Sequence, residues 1–402
     1  MPYPNPSIPA WNFSPAILAI WLVGFMPLES APIWIPAAQI HYGVSPVTVG
    51  IVASMQFVLA ALTATFIAPR LAMRPLRVPL AIAMAIIMLS AAATAALHLG
   101  FSEFVVLRIL EAAGSGLCIS GGAMLASRTP KPSRSFGAMQ FGQITTNLVI
   151  YGLSTRLVVT YGLTGLYGML VIGMGVFLLI VLFSKGWGAA MLERPKNAPG
   201  TPSLRITIAC ISIAVVYCGF VALVANANAL GGRAGISFAR VTMVLAISTP
   251  ASAFGALLAT VLAGRVRAVY LIAAAAAGTT GFGLFLALAG TSFESLTVAL
   301  CGVLMFIYVG VPSIYSGIAA LDVTGRAAAL TQATQMLGPV LGPAVGAIIA
   351  VHSVTAFAGV SVLLIVTGIL VAGIAIWPSL KRETRPQRIE TEKGATTLSR
   401  AA

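Results

Sequence analysis

Along the chain, long apolar runs alternate with short polar gaps. A bilayer crossing takes about 20 consecutive apolar residues, and twelve runs meet that length. They fall near residues 13–38, 46–68, 78–98, 102–126, 136–158, 164–184, 205–228, 237–262, 268–289, 294–319, 327–350 and 354–377. Their near-continuous hydrophobicity lacks the two-residue alternation of barrel strands. The pattern therefore predicts an all-α integral membrane protein with twelve transmembrane helices.

The gaps are unequal, and the inequality predicts the organisation. The longest internal gap, "SKGWGAAMLERPKNAPGTPSLR", follows the sixth run and is rich in Pro and Gly, as a linker would be. It divides the chain into a six-helix half at 1–184, a cytoplasmic linker at 185–204, a second six-helix half at 205–377 and a tail at 378–402 expected to lack regular structure. A weak repeat supports the division. Leu71–Arg74 ("LAMR") recurs as Leu262–Arg265 ("LAGR"), Glu103 recurs as Glu294, and Arg134, Gln140 and Gln143 recur with identical spacing as Arg326, Gln332 and Gln335. All recur at nearly one offset and in topologically equivalent places, which predicts parallel repeats of the kind seen in two-half transporters.

Charge then orients the helices. Only 8% of the 402 residues are charged, against about one quarter in a soluble domain. The net charge of +14 comes from Lys and Arg gathered in the gaps after runs 2, 4, 6, 8 and 10 and in the tail, whereas the opposite side has little beyond Arg156, Arg233 and Arg240. That asymmetry is the positive-inside pattern of a cell (inner or plasma) membrane protein with both termini cytoplasmic. It also argues against a nucleic-acid partner, which would need a contiguous basic surface. The uncharged start, "MPYPNPSIPAWNF", lacks the basic region of a signal peptide, so the first run is expected to be retained. Cys118, Cys210, Cys218 and Cys301 all lie inside apolar runs and read as packing residues.

Few residues can carry chemistry. His41, His98 and His352 stand singly at run ends, so no metal site is expected, and no phosphate-binding Gly-rich loop or cofactor motif is present. The chain does not read as an enzyme. The strongest candidate is Glu29, inside the stretch "MPLESAPIWIPA". An intramembrane carboxylate is expensive and faces a polar cavity or a cation, which makes it a candidate proton carrier or a structural partner of an arginine. Pro27, Pro32 and Pro36 remove backbone donors around it, a break tolerated where neighbours or a cavity satisfy the freed carbonyls.

Arg108 and Glu111 are three apart and share a helix face; with Glu29 they are the candidates for proton coupling, Arg108 alternating between the glutamates, unless Arg108 and Glu111 form a static pair that only satisfies itself. At 1.5 Å per residue, Arg108 lies about 9 Å and Glu29 about 13 Å from the outer ends of their runs, so Arg108 could pair with either glutamate. Gln140, Gln143, Asn147, Tyr217, Asn226, Asn228, Gln332 and Gln335 are candidates to hydrogen-bond a substrate, or to hold helices together. Arg240 reads as snorkelling, and Asp322 reads as a loop ion pair with Arg326.

The chain resembles the major facilitator superfamily over essentially its whole length. The family's loop between helices 2 and 3 reads G-x-L-A-D-R-x-G-R-R, and "PRLAMRPLRV", Pro69–Val78, matches it at Leu71, Ala72, Arg74 and Arg77, with Met73 in place of the acid and Leu76 in place of a glycine. The resemblance implies that this loop gates. Helix 4 is similar to R-x-x-x-G-x-G-x-G through Arg108, Gly114 and Gly116, with Ala112 at the first glycine. "LESAPIWIPAAQIHYGVSPVTVGIV" resembles the drug and sugar efflux branch, with Glu29 on that branch's glutamate and Gly43, Val44 and Ser45 on its turn. The antiporter signature G-x-x-x-G-P-x-x-G is absent from helix 5 and appears in helix 11 as Gly338, Gly342, Pro343 and Gly346.

What the resemblance implies is a monomeric secondary transporter, with a small organic substrate, protons and the lipid bilayer as partners, that exports by alternating access. Proton-coupled uptake is the alternative, and a transport-inactive membrane sensor or assembly protein is the alternative of another class.

Overall fold

The computed structural model describes residues 14–71, 74–184, 203–233, 235–289, 292–322 and 324–382. The helices of the N-terminal half are α1 (Pro15–Glu29), α2 (Ala31–Tyr42), α3 (Pro46–Phe66), α4 (Ala68–Leu71), α5 (Arg77–Ala96), α6 (Phe101–Ser127) and α7 (Pro132–Phe183). Those of the C-terminal half are α8 (Leu204–Ala225), α9 (Ala227–Arg233), α10 (Phe238–Leu262), α11 (Ala268–Ala289), α12 (Phe293–Leu321), α13 (Arg326–Gln335), α14 (Leu337–His352) and α15 (Val354–Arg382). Ten helical stretches are long and apolar enough to cross a membrane, and α1 with α2 makes an eleventh, bent by 43°. The first part of α7, residues 132–161, is also long enough for a pass at 1.5 Å per residue, which would make twelve. Most of the linker at 185–204 and of the tail at 378–402 lies outside the described residues.

Local chemistry explains where the elements stop and bend. Ser45 caps α3 by accepting the Thr48 amide at 3.1 Å, with Pro46 supplying a helix-ready φ behind it. Ser292 and Ser295 cap α12 reciprocally. α7 is continuous in hydrogen bonding but holds Gly162 at φ 61°, ψ −143°, a geometry glycine adopts without a Cβ penalty, and the chain breaks there into two spans.

The bend between α1 and α2 follows from its prolines. Pro32 has no amide for the Leu28 carbonyl, and the Ile33 amide turns to Ser30 O at 2.9 Å, three residues back. The Glu29 carbonyl is thereby released from the helix. Tyr151 donates its hydroxyl to that carbonyl at 3.1 Å, so a side chain satisfies the freed acceptor.

Each half packs around an interior helix. α6 lies against α1, α3 and α5, and α12 lies against α10, α11 and α15. Both interior helices are apolar yet largely hidden, whereas large side chains such as Ile40, Phe183, Leu288 and Ile374 face outward at 74% exposure or more. An apolar exterior of this extent fits hydrocarbon, where the backbone must be satisfied within helices. The glycines of α14 form a seam: a Cβ on Gly342 would lie 2.8 Å from Cys218 O, and one on Gly346 3.0 Å from Ala222 O. The G-x-x-x-G-P-x-x-G stretch thus lets α14 approach α8 closely.

The halves meet at the end of the bundle that carries the basic connections, which we call the basic end. Arg128 reaches Thr324 O at 3.4 Å, Phe136 stands edge-on to Tyr315 with centroids 5.6 Å apart, and Gly137 lies against Thr260. Towards the other end, α2 packs on α3 and α7 of its own half, and α9 on α8, α10 and α15 of its own.

Asp322 differs from its expected loop ion pair. Its carboxylate accepts the Thr324 amide at 2.9 Å, the Thr324 hydroxyl at 2.6 Å and the Ala327 amide at 2.7 Å. Amides at the start of α13, orphaned by the helix end, take up its oxygens in place of the Arg326 side chain. Beside it, burial lowers the pKa of Arg128, and the Asp322 charge opposes that shift.

Candidate functional site

The two buried glutamates of the N-terminal half have different partners. Arg108 and Glu111, on one face of α6, form an ion pair with almost no exposure, 1% and 0%. Helix spacing brings them together, and the surrounding helices close the cage. Arg108 also donates to Tyr167 Oη at 2.7 Å and to Thr94 Oγ1 at 2.8 Å, and its guanidinium lies 4.2 Å from the Tyr167 ring centroid and 5.1 Å from that of Phe104. Gln56 on α3 donates to Glu111 at 3.3 Å. Of the pairings open to Arg108 from sequence, this structure holds the one with Glu111.

Glu29 is half-buried at the α1 break, and no cation lies within ion-pair distance of it among the described residues. Gln143 Nε2 donates to its Oε1 at 2.7 Å, and Asn147 is a second side-chain hydrogen-bond neighbour. Gln143 and Asn147 are four apart on the first part of α7, so one helix face presents both amides. Trp21 Nε1 donates to Gln143 Oε1 at 3.3 Å, which fixes the orientation of the Gln143 amide. The carboxylate therefore sits among neutral donors, with Tyr151 on the backbone carbonyl of the same residue.

Across from it, the C-terminal half supplies phenols and an amide. Tyr315 on α12 donates to Gln335 Oε1 at 2.6 Å and lies 3.2 Å from the Tyr217 hydroxyl of α8. Tyr217 and Tyr308 lie within electrostatic reach of Glu29, and Gln140 lies beside Tyr217. The structure thus gathers Glu29, Gln140, Gln143, Asn147, Tyr217 and Gln335 about the interface of the halves. Gln332 is buried in α13, and its amide has no hydrogen-bond partner among the described residues.

Other candidates are placed elsewhere. Asn226 donates to Ala222 O at 3.0 Å and Pro343 O at 3.2 Å, so its amide joins α8 to α14. Nothing is described of the Asn228 side chain, and Ala72 lies outside the described residues. Leu71 is half-buried at the basic end, where Arg74 and Arg77 are exposed. Arg240 is exposed, with its guanidinium 5.7 Å from the Phe293 ring centroid.

Sequence reasoning missed Trp21, Tyr151, Tyr308 and Tyr315 in the central site, and Gln56, Thr94 and Tyr167 in the ion-pair cage. One signal was available. Tyr308 and Tyr315 are seven apart in an apolar helix and so fall on one face.

No family model and no curated protein matches the chain. Solved structures do. The proton:xylose symporter XylE, bound to 6-bromo-6-deoxy-D-glucose, is similar with a TM-score of 0.73 at 15% identity, over 90% of this chain and 94% of that one. A bacterial homologue of the iron transporter ferroportin, in an outward-facing state, gives 0.70 at 11% identity, over 93% and 100%. The human organic anion transporter MFSD10 gives 0.66 at 13% identity, over 89% and 98%. Spanning nearly the full length of three transporters that share little sequence with it, the chain has the fold of the major facilitator superfamily.

Proposed function

We propose that the chain is a secondary transporter that moves a small organic molecule by alternating access, with Glu29 carrying the coupled proton. The observation that supports this most is the setting of Glu29: an intramembrane carboxylate without a cation, held by amides at the interface of the halves. No fixed positive charge locks its protonation state. The Gln143 amide, oriented by Trp21, donates to the carboxylate, and the Asn147 amide beside it can present its oxygen to a carboxylic acid, so both forms find a partner.

Tyr217, Tyr308, Tyr315, Gln335, Gln140 and Asn147 present hydroxyls and amides around it. They suit an uncharged or weakly charged substrate with several hydrogen-bonding groups. Taking the basic end as cytoplasmic, contact between the halves at that end corresponds to an outward-facing arrangement. The α1–α2 and α8–α9 breaks supply pliable points near the site, and rocking of the halves would expose it to the other side.

The direction we propose is export, on the resemblance of the α1 region to the efflux branch. Uptake is the second reading, favoured by the similarity to a proton:xylose symporter. Reconstituted vesicles with an imposed pH gradient separate them. Substrate flux against the proton flow supports export, flux with it supports uptake, and no flux across a broad small-molecule screen would favour a sensor or assembly role.

A further inference from the structure

The basic end holds a second site, separate from the glutamate cluster. A cleft of about 1060 Å³ opens between the connection preceding α7 in the N-terminal half and the α10–α11 connection of the C-terminal half. Lys131 faces it from one side and Arg265 and Arg267 from the other. None of the three forms an ion pair among the described residues, and no described lining residue is acidic. All three are exposed, so water and salt screen their mutual repulsion, and a counter-charge entering the cleft lowers it further.

The wall of the cleft gives a second, independent sign. Ser313 and Ser316 on α12 are 1% and 5% exposed and line it, yet their hydroxyls have no hydrogen-bond partner among the described residues. Thr297 of the same helix and Thr280 of α11 show the usual alternative, donating to the carbonyl four residues back. Hydroxyls that forgo that bond on residues lining the cleft are available to a ligand's acceptor oxygens. Trp377 borders the opening at the end of α15, the position an indole takes at a membrane–water boundary.

From these observations we infer that the cleft binds a phosphate group, with Lys131, Arg265 and Arg267 taking its charge and Ser313 and Ser316 donating to its oxygens. Arginine matches phosphate geometry through paired donors. The volume far exceeds a bare phosphate, so there is room for a larger body bearing it. An anionic lipid headgroup and a free phosphorylated solute share this chemistry. A bound group would touch both halves and offset the repulsion across their seam. Binding is measured without transport, so this inference and the transport reading fail separately.

The test uses the full chain in two settings. Purified protein in neutral detergent is titrated with inorganic phosphate, and protein in nanodiscs of phosphatidylglycerol is compared with protein in phosphatidylcholine, both read by thermal unfolding. Stabilisation by phosphate in detergent identifies a soluble source, and stabilisation only in phosphatidylglycerol identifies the lipid. In either case the paired substitution Arg265→Gln/Arg267→Gln should weaken the effect at least fivefold, and Ser313→Ala should weaken it less. Arg205→Gln, a charge loss at an exposed arginine of the basic end outside the cleft, should leave it intact. No stabilisation in either setting, or an equal loss with Arg205→Gln, would overturn the inference.

Discussion

Glu111 and Glu29 are carboxylates in apolar helices of the same half, yet their surroundings have little in common. Glu111 lies against a guanidinium that is itself held by Tyr167, Thr94 and the face of an aromatic ring. Its charge is compensated on the spot, with Oε2 taking both Arg108 and Gln56. Glu29 has only neutral donors, at a point where the helix has already given up a hydrogen bond. In a low-dielectric interior, a paired charge contributes to a fixed structure, and an unpaired one can change state. The difference is why we propose Glu29, and not Glu111, as the proton carrier.

The largest effect that would sharpen this contrast is on folding. Arg108→Ala leaves Glu111 buried without its cation, and breaking such a pair costs about 3–5 kcal/mol. A sharp loss of monodisperse protein on size exclusion is expected, with partial recovery in Arg108→Met/Glu111→Leu, which removes both charges. A stable, monodisperse Arg108→Ala protein that had lost only proton coupling would move Arg108 into the transport machinery.

Gln143→Ala comes next. It removes the donor to Glu29 and the acceptor of Trp21, and a hydrogen bond to a charged group is worth about 1.5–3 kcal/mol. Flux should fall about tenfold, and the unfolding temperature should fall modestly, because Gln143 and Trp21 are buried and the indole N–H loses its acceptor. An equal fall in flux and in folded yield would mean that Gln143 serves packing. The smallest effect is expected for Tyr315→Phe, which keeps the ring against Phe136 but loses the bonds to Gln335 and Tyr217. About 1 kcal/mol is at stake, and it should appear as a raised substrate KM with maximal flux preserved. A changed maximal flux with unchanged KM would place Tyr315 outside the substrate contacts.

Much of the fold was legible because the bilayer imposes it. Helices must satisfy their own backbone in hydrocarbon, so run lengths and Pro and Gly positions placed the spans and the α1 bend. The i, i+3 spacing of Arg108 and Glu111 showed that they could pair. What could not be read was azimuth. Depth estimates put Arg108 and Glu29 at compatible levels, but which way each helix face turns depends on packing between helices distant in sequence. Tyr151 and Trp21 reach the Glu29 cluster across 122 positions of sequence each. Asn226 shows the converse: the donors of a polar residue in an apolar run can be taken up by neighbouring carbonyls.

The most direct test of the central claim is pH-driven flux of a compound identified by the vesicle screen, through equal amounts of folded wild type and Glu29→Gln. Glutamine keeps the shape and hydrogen bonding of the side chain but cannot titrate. The variant is expected to fold as the wild type does, to retain substrate binding or exchange, and to lose transport driven by the pH gradient. Undiminished, still pH-driven transport by Glu29→Gln would contradict the assignment and return the proton to Glu111.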